Sequence, residues 1–400
     1  MTRTVTPRRP LTAAAAVVLV ALAASCGDGA TDSSTTPAPS TAPATSGPEA
    51  SSTSGATADL SVTVDAPFPE ARCAANRAAG TIVYLSGFDY AATASIVDVL
   101  VAQHEGYFEQ LCLDVEVRPS FSTDNYPFVA SNDAQFASAG SFSEMVDFAG
   151  ANDAGFVALG VEGRTGIDAL LTKKGEVSTL ADLEGTTIGV KGALTTSVRA
   201  MLATAGLTEG ENFQTVLLDG YDPLAHIASP GIVGFPVYKS NEPGQLDAAG
   251  VEYDLFDPSD YDVPGSFGVL YSNTTFVTEH PTAAQDFMRA AMKGLQFAID
   301  DPAAAAAIAV DAINSGDNAM YLSAESETAR WGVESALVAE RVAADAPLGV
   351  PLPDLLQDEV EAYAAVGLFD GSAPDITSMV DATVVGDLYD GGALVWPSDG

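Results

Sequence analysis

Short apolar runs typical of β-strands alternate with amphipathic stretches along most of the chain, and this alternation constrains the fold most. The run TIVYL (81–85) is followed by a break and then by a helical pattern, AATASIVDVLVAQHE (91–105), which Gly106 stops. The strand pattern returns at LDVEV (113–117). Strands that alternate with helices predict parallel sheets with helix-covered faces, an α/β fold. In such sheets ligands bind at the carboxyl ends of the strands, where loops lead into helices.

The length of the alternating region predicts more than one lobe. About 340 residues follow residue 60, which is more than a single hydrophobic core usually spans. From residue 281 onward the patterns are mostly helical. We therefore expect two α/β lobes.

The N-terminus predicts a secretory signal. Arg3, Arg8 and Arg9 precede an apolar stretch that is too short to span a membrane. Small residues stand directly before Cys26, as in bacterial lipoprotein signals. We expect residues 1–25 to be removed and Cys26 to carry lipid. Ordinary cleavage nearby, giving a free secreted product, is the alternative.

Residues 26–60 are rich in Ser, Thr, Pro and Ala and contain almost no large apolar side chain. Such a composition cannot bury a core and predicts a flexible tether. With lipid on Cys26, the tether would anchor the following domain to the outer face of the bacterial cell membrane. The expected location is therefore extracytoplasmic.

The other two cysteines, Cys73 and Cys112, form an even pair outside the cytoplasm, which favours a disulfide. A bridge would close a loop of roughly 40 residues and stabilise the fold by about 4 kcal/mol in the chain-entropy model. Two unpaired core thiols are the alternative. Neither cysteine has a metal-like spacing, and we expect no metal site.

The charge balance argues against two classes of anionic partner. The chain has 54 acidic against 16 basic residues, a net charge of −38. Such a charge repels nucleic acid and anionic lipid headgroups. We expect neither to be a partner of the folded domain.

Two loops that follow predicted strands carry candidate binding residues. In SGFDYAA (86–92), Phe88 and Tyr90 suit stacking on a planar ring, and Asp89 suits accepting N–H groups. The alternative places Phe88 in the core and Asp89 at a helix cap. In SAGSFSE (138–144), Ser138 and Ser141 are candidate cleft residues. Ser141 and Glu144 also have the spacing of a capping box.

A third loop, VKGALTTS (190–197), joins a strand to a helix. Its candidate residues are Thr195, Thr196 and Ser197. They suit helix capping, and amides at such a helix end bind anions or polar ligand edges. Capping without any ligand is the alternative.

Three stretches together resemble one known family. They are GYFEQLCLDVEV (106–117), STLADLEGTTIGVKG (178–192) and the segment 217–251, which contains GFPVYKSNEPGQL. In this order they resemble NMT1/THI5-like substrate-binding proteins of ABC importers, the nitrate, sulfonate and thiamine-precursor group. The likeness covers roughly residues 80–300.

The resemblance implies a type II periplasmic-binding-protein-like fold, with two α/β lobes and a ligand cleft between them. Lobe one would contain residues 80–175 and 272–400, and lobe two residues 176–271. The segment 234–246 would then lie at the inter-lobe edge. There Tyr238 would stack or donate, Asn241 would pair with an amide-like edge, and Glu242 would accept from an amino group or form a salt bridge to the opposite lobe. A solvated turn without a ligand is the alternative, because Asn, Pro and Gly are turn residues.

The function implied is capture of a small molecule and its delivery to an ABC permease and ATPase by a monomeric binding protein. The chain has no P-loop of its own. We expect no enzyme activity and no cofactor. The candidate loops offer more aromatic and acidic groups than cations, which favours a heterocycle such as a thiamine pyrimidine precursor.

Three alternatives remain open. An alkanesulfonate or nitrate binding protein would have the same fold, because helix amides alone can hold an anion. A pyrimidine-synthase-like enzyme of the same family would need a reactive cleft histidine, and His104 lies instead at a predicted helix end. An extracellular sensor or adhesin would bind a protein through an exposed apolar patch.

Overall fold

The computed structural model describes residues 59–315, 323–340 and 346–398. The expected signal peptide, Cys26 and nearly all of the expected tether lie outside the described residues. Residues 57–400 form one compact unit.

The described strands follow the predicted alternation with helices. They are β1 (Thr81–Leu85), β2 (Asp114–Arg118), β3 (Phe136–Ala139), β4 (Phe156–Gly163), β5 (Asp168–Lys173), β6 (Thr187–Val190), β7 (Gln214–Leu217), β8 (Gly234–Tyr238), β9 (Tyr253–Phe256), β10 (Phe267–Asn273), β11 (Tyr389–Asp390) and β12 (Ala393–Leu394).

The described helices cover the faces of the sheets and dominate the C-terminal third. They are α1 (Glu70–Ala78), α2 (Val97–His104), α3 (Tyr107–Gln110), α4 (Ser122–Ala130), α5 (Phe142–Asn152), α6 (Thr196–Thr204), α7 (Pro223–Ala228), α8 (Glu242–Ala248), α9 (Thr274–Glu279), α10 (Pro281–Asp300), α11 (Pro302–Ser315), α12 (Ala324–Glu340), α13 (Pro353–Ala364) and α14 (Ala382–Gly386). Single 3₁₀ turns span Leu180–Leu183, Pro258–Tyr261 and Leu368–Gly371.

The strands form two five-stranded sheets, which confirms the expected two-lobed α/β architecture. The first sheet has the order β2-β1-β3-β10-β4 and the second the order β7-β6-β8-β5-β9. A small antiparallel hairpin joins β11 to β12.

Both sheets are mixed rather than purely parallel. In the first sheet, β1 pairs in parallel with β2 and β3, whereas β10 runs antiparallel to β3 and β4. Strand β10 follows the strands of the second sheet in the sequence. No helical crossover from a neighbouring strand of the first sheet therefore fixes its direction. In the second sheet, β5 runs antiparallel to β8 and β9.

Sheet membership bears on where the lobes divide. Strand β5 belongs to the second sheet and the whole of β10 to the first. If each lobe is defined by its sheet, the chain passes from the first lobe to the second at residues 164–167 and returns at residues 257–266. Both segments lie several residues before the expected boundaries at 175 and 272. The boundaries themselves remain a proposal.

Alternation along the strands explains the layers of the first lobe. Ile82 and Tyr84 of β1 face one apolar cluster, which includes Phe287 of α10. Val83 and Leu85 face the other cluster, against α5. The period of two along a strand places successive side chains on opposite faces, so both faces of this sheet are buried.

Cys73 of α1 and Cys112, just before β2, are joined by a disulfide. The bridge ties the first helix of the lobe to the chain beside its edge strand. Among the described residues, no helix combines the length and the apolar character that a membrane span requires.

Candidate functional site

The loop after β1 presents an aromatic surface. Phe88 is 43% exposed and lies edge to face with Phe121, with the ring centroids 5.9 Å apart. Phe121 is also exposed. The guanidinium carbon of Arg330 lies 5.5 Å from the centre of the Phe88 ring. Exposed aromatic faces beside a cation suit a planar solute.

The two residues after Phe88 have partners within the first lobe. Asp89 adopts a left-handed backbone conformation with φ 48°, and its carboxylate accepts from the Tyr90 N–H at 2.9 Å. The Tyr90 hydroxyl donates to the Val117 carbonyl at 2.9 Å. The tight turn at Asp89 therefore directs Tyr90 toward β2.

The candidate serines of the 138–144 loop are also engaged. The hydroxyl of Ser138 is hydrogen-bonded to that of Ser95, and Ser138 is buried. Ser141 is the N-cap of α5 and accepts from the Glu144 N–H at 3.2 Å. The Glu144 carboxylate accepts from the Ser122 hydroxyl. The capping alternative for Ser141 thus describes its observed geometry.

In the second lobe, Tyr238 stands at the end of β8 and is 51% exposed. Glu242 is buried and supports this position: one carboxylate oxygen accepts from the Tyr238 N–H at 2.9 Å and the other pairs with Lys191 Nζ at 2.5 Å. The side-chain oxygen of Asn241 accepts from Arg330 at 3.4 Å. The two oxygens of Glu242 are therefore bound to the Tyr238 backbone and to Lys191, and they stabilise the turn between β8 and α8.

The loop before α6 contains one buried hydroxyl group for which the described residues provide no hydrogen-bond partner. Thr195 is the N-cap of α6, and its Oγ1 is buried without a hydrogen-bond partner among the described residues. Thr196 is half-buried and is the first residue of α6. Ser197 donates to Asp168 at 2.9 Å. Asp168 begins β5, so this bond fixes α6 against the second sheet.

Helix α12 brings the loops of the two lobes together. Glu334 accepts from the Ser240 hydroxyl at 2.7 Å with one oxygen and from the Ala94 N–H at 2.7 Å with the other. Arg330 contacts both Phe88 and Asn241. The aromatic loop of the first lobe and the polar turn of the second thus meet at one face of one helix.

The sequence-based prediction missed these α12 residues. Glu327, Arg330 and Glu334 are spaced i, i+3 and i+7, which places them on one helix face. That spacing was readable in AESETARWGVESALVAE, but charged residues on a helix usually form a solvated face. Their burial distinguishes them, because all three are less than 9% exposed.

The electrostatics show how acidic this region is. The pKa of the Tyr238 phenol is raised, chiefly by the charge of Asp168 and then by the partial burial of the side chain. Charges on three further carboxylates add to this effect: Glu144, Glu242 and Glu334. Burial raises the pKa of Asp168 to about 6. Tyr238 is therefore open to solvent yet surrounded by carboxylates from both lobes and from α12.

A cavity of about 720 Å³ lies elsewhere, among α3, α10 and the C-terminal hairpin. Lys293 stacks there on Trp396, with Nζ 3.7 Å from the ring centre, and also lies 4.6 Å from the Tyr107 ring. This cavity contains none of the predicted binding residues. The candidate site is the α12 face and the loops that meet on it.

Three comparisons agree with this architecture. The family model described as NMT1/THI5 like matches residues 93–305. The formylaminopyrimidine-binding protein of Halalkalibacterium halodurans is 30% identical over 211 residues, which cover 50% of this chain and 62% of that protein. The chain therefore spans less than two thirds of that relative.

Two solved structures share the fold. The alkanesulfonate-binding protein SsuA of Xanthomonas axonopodis pv. citri, bound to MOPS, has a TM-score of 0.51 at 15% identity, covering 80% of this chain and 98% of its own. A Candida albicans protein with the generic periplasmic binding protein fold has a TM-score of 0.52 at 14% identity, covering 76% and 96%.

The resemblance of the three sequence stretches is thereby confirmed. The two mixed sheets and their covering helices are those of a two-lobed periplasmic binding protein, and the chain belongs to the NMT1/THI5-like family.

Proposed function

We propose that this chain is the substrate-binding protein of an ABC importer and captures a small nitrogen-rich heterocycle, such as a thiamine pyrimidine precursor. Capture involves no covalent chemistry: the lobes bind the solute, close on it and present the closed form to the permease and its ATPase. The protein then needs no cofactor and no enzyme activity of its own, and it works as a monomer.

One observation carries the proposal. Aromatic rings from the first lobe and the half-exposed Tyr238 of the second lobe approach the same helix, α12, amid several carboxylates. Aromatic rings contributed by both lobes suit stacking on a planar molecule. Carboxylates suit exocyclic amino groups, because ionised acceptors form the stronger hydrogen bonds. The formylaminopyrimidine-binding relative supports this solute class.

The second candidate is capture of a sulfonate or nitrate by the same fold. The fold likeness to an alkanesulfonate-binding protein favours it. The carboxylates around Tyr238 oppose it, because like charges disfavour an anion. An enzyme of the pyrimidine-synthase type is the third candidate, and no geometry described above favours it.

The anchor belongs to the same proposal. Lipid on Cys26 and the tether at 26–60 would keep the binding lobes beside the permease on the outer face of the membrane. A linked binding module has a high effective concentration at its partner without any new contact. Metabolic labelling of the expressed chain with a fatty acid, compared with Cys26→Ser, tests this part.

A thermal-shift panel on residues 57–400 tests the solute class. The panel contains formylaminopyrimidine, other aminopyrimidines, thiamine, riboflavin, ethanesulfonate and nitrate. A solute at 100 times its dissociation constant stabilises by about 2.7 kcal/mol, which raises Tm by a few degrees. A shift with the aminopyrimidines is expected. A shift with the anions alone would replace the first candidate by the second, and no shift would reject both.

A further inference from the structure

The loop before α2 directs its backbone donors at carboxylates of α12. The Ala92 N–H donates to Glu327 at 2.7 Å. The Ala94 N–H donates to Glu334 at 2.7 Å, and the Thr93 hydroxyl donates to the same Glu334 oxygen at 2.5 Å. Three neighbouring donors of one loop are therefore taken by two side chains of a single distant helix.

Clustered donors of this kind are what an anionic solute needs. Successive backbone N–H groups ahead of a helix form a ready site for sulfonate, phosphate or carboxylate groups. Here the chain supplies the carboxylates itself. The next amide is taken as well, because the Ser95 N–H donates to Glu162 at 3.0 Å.

Glu334 lies between the lobes rather than behind one of them. Its second oxygen accepts from Ser240 of the second lobe at 2.7 Å. Burial raises the pKa of Glu334 most strongly, and hydrogen bonds from Thr93, Ala94 and Ser240 oppose that effect because they favour the ionised form. Both oxygens are thus engaged by donors that an anion would otherwise recruit.

We infer that Glu327 and Glu334 determine specificity: they occupy the donors that an anionic solute would use and so restrict the site to neutral or cationic solutes. The inference rests on the proposed function, because it concerns the same site. It explains how a fold shared with an alkanesulfonate-binding protein would reject sulfonates through its own side chains rather than through a different backbone.

Titration calorimetry with ethanesulfonate on residues 57–400 tests the inference. Glu334→Ala removes the carboxylate and releases the Ala94 and Thr93 donors. Hydrogen bonds to charged groups are worth enough for the affinity for ethanesulfonate to rise at least about tenfold. Glu327→Ala is expected to act in the same direction. Glu116→Ala, which removes one negative charge from the exposed edge strand β2, is the control and should leave that affinity unchanged.

Glu334→Leu keeps most of the side-chain volume, has no acceptor for the Ala94 and Thr93 donors, and serves if Glu334→Ala does not fold. Folded variants whose ethanesulfonate affinity stays within about twofold of the parent chain would overturn the inference. Aminopyrimidine binding by the parent chain is measured alongside. Its absence would reject the proposed solute, whereas unchanged sulfonate affinity in the variants would reject only the role of Glu327 and Glu334.

Discussion

At the scale of single residues, Asp286 of α10 shows how the first lobe tolerates buried charge. It is fully buried, and both its oxygens accept from Arg72 of α1, at 2.6 and 3.0 Å. Asn76 donates to it at 2.7 Å and Arg289 at 3.0 Å. One carboxylate is thus the shared counterion of two buried guanidinium groups and ties α1 to α10.

Asp286→Ala should therefore reduce the free energy of unfolding by about 3–5 kcal/mol, because it leaves buried cations without their counterion. Chemical denaturation of residues 57–400 measures the change. The matched control is Glu116→Ala, which breaks an ion pair whose two side chains are about half exposed, and its effect should be small. Equal losses in the two variants would show that the buried cluster contributes no more than a surface pair.

At the scale of elements, α10 and α2 cross closely at a glycine. A Cβ added at Gly294 would lie 2.0 Å from the Asp98 carbonyl oxygen of α2. Backbone cannot move aside as a flexible side chain can, so the helices would have to separate. Glycine is therefore required here for packing, although it is a poor helix former.

Gly294→Ala should destabilise the fold by about 1–3 kcal/mol through overpacking. Gly150→Ala in α5 is the matched control, because no atom lies within 4 Å of its added Cβ. That variant should gain up to about 1 kcal/mol from helix propensity. Thermal unfolding of both variants checks the opposite signs, and a stabilised Gly294→Ala would contradict the close crossing.

Helix α2 shows what the sequence predicts and what it does not. The pattern indicated a helix from residue 91, but α2 begins at Val97. Asp89 and Ser95 adopt left-handed backbone conformations, and carboxylates of α12 accept from the Ala92 and Ala94 amides between them. The carboxylates that bind these amides lie more than 230 residues away along the chain, so the local sequence contains no sign of them. The local pattern therefore predicted that the loop was the start of the helix.

Local chemistry predicted some of the candidate site. Phe88 was selected because it lies in a loop after a predicted strand, and Tyr238 because its segment resembles a loop of the NMT1/THI5-like family. Ser141 was correctly given a capping alternative, since its spacing to Glu144 is a local signal. The role of α12 was not predicted, because a buried helix face with charged residues has the same sequence pattern as a solvent-exposed one. Only the packing of the helix distinguishes them.

At the scale of the whole molecule, acidic groups set how stability depends on pH. Burial raises the pKa of Asp98 to about 7 and that of Asp168 to about 6. In the unfolded chain both titrate near 4. Between about pH 4 and pH 7 the folded state binds more protons than the unfolded state, so its stability falls as the pH rises. A net charge of −38 acts in the same direction through self-repulsion.

The free energy of unfolding of residues 57–400 should therefore be higher near pH 5 than near pH 8. Asp98→Asn should flatten this slope, because the amide does not ionise. Asp65→Asn, at an exposed position, should leave the slope as it is. Denaturant titrations at several pH values measure this pH dependence. A free energy of unfolding that rises from pH 5 to pH 8 would contradict the raised pKa values.

In the proposed function, we expect solute capture between the lobes to depend on Tyr238 more than on any other predicted side chain. Calorimetric titration of residues 57–400 with an aminopyrimidine, compared with Tyr238→Ala and the control Tyr253→Ala, tests this most directly. The expected result is one solute per chain. A lost ring stack is worth about 1–3 kcal/mol, so affinity should fall about 5- to 150-fold in Tyr238→Ala and hold in Tyr253→Ala. Equal affinity in all three proteins, or no heat of binding in the parent chain, would contradict capture at this site.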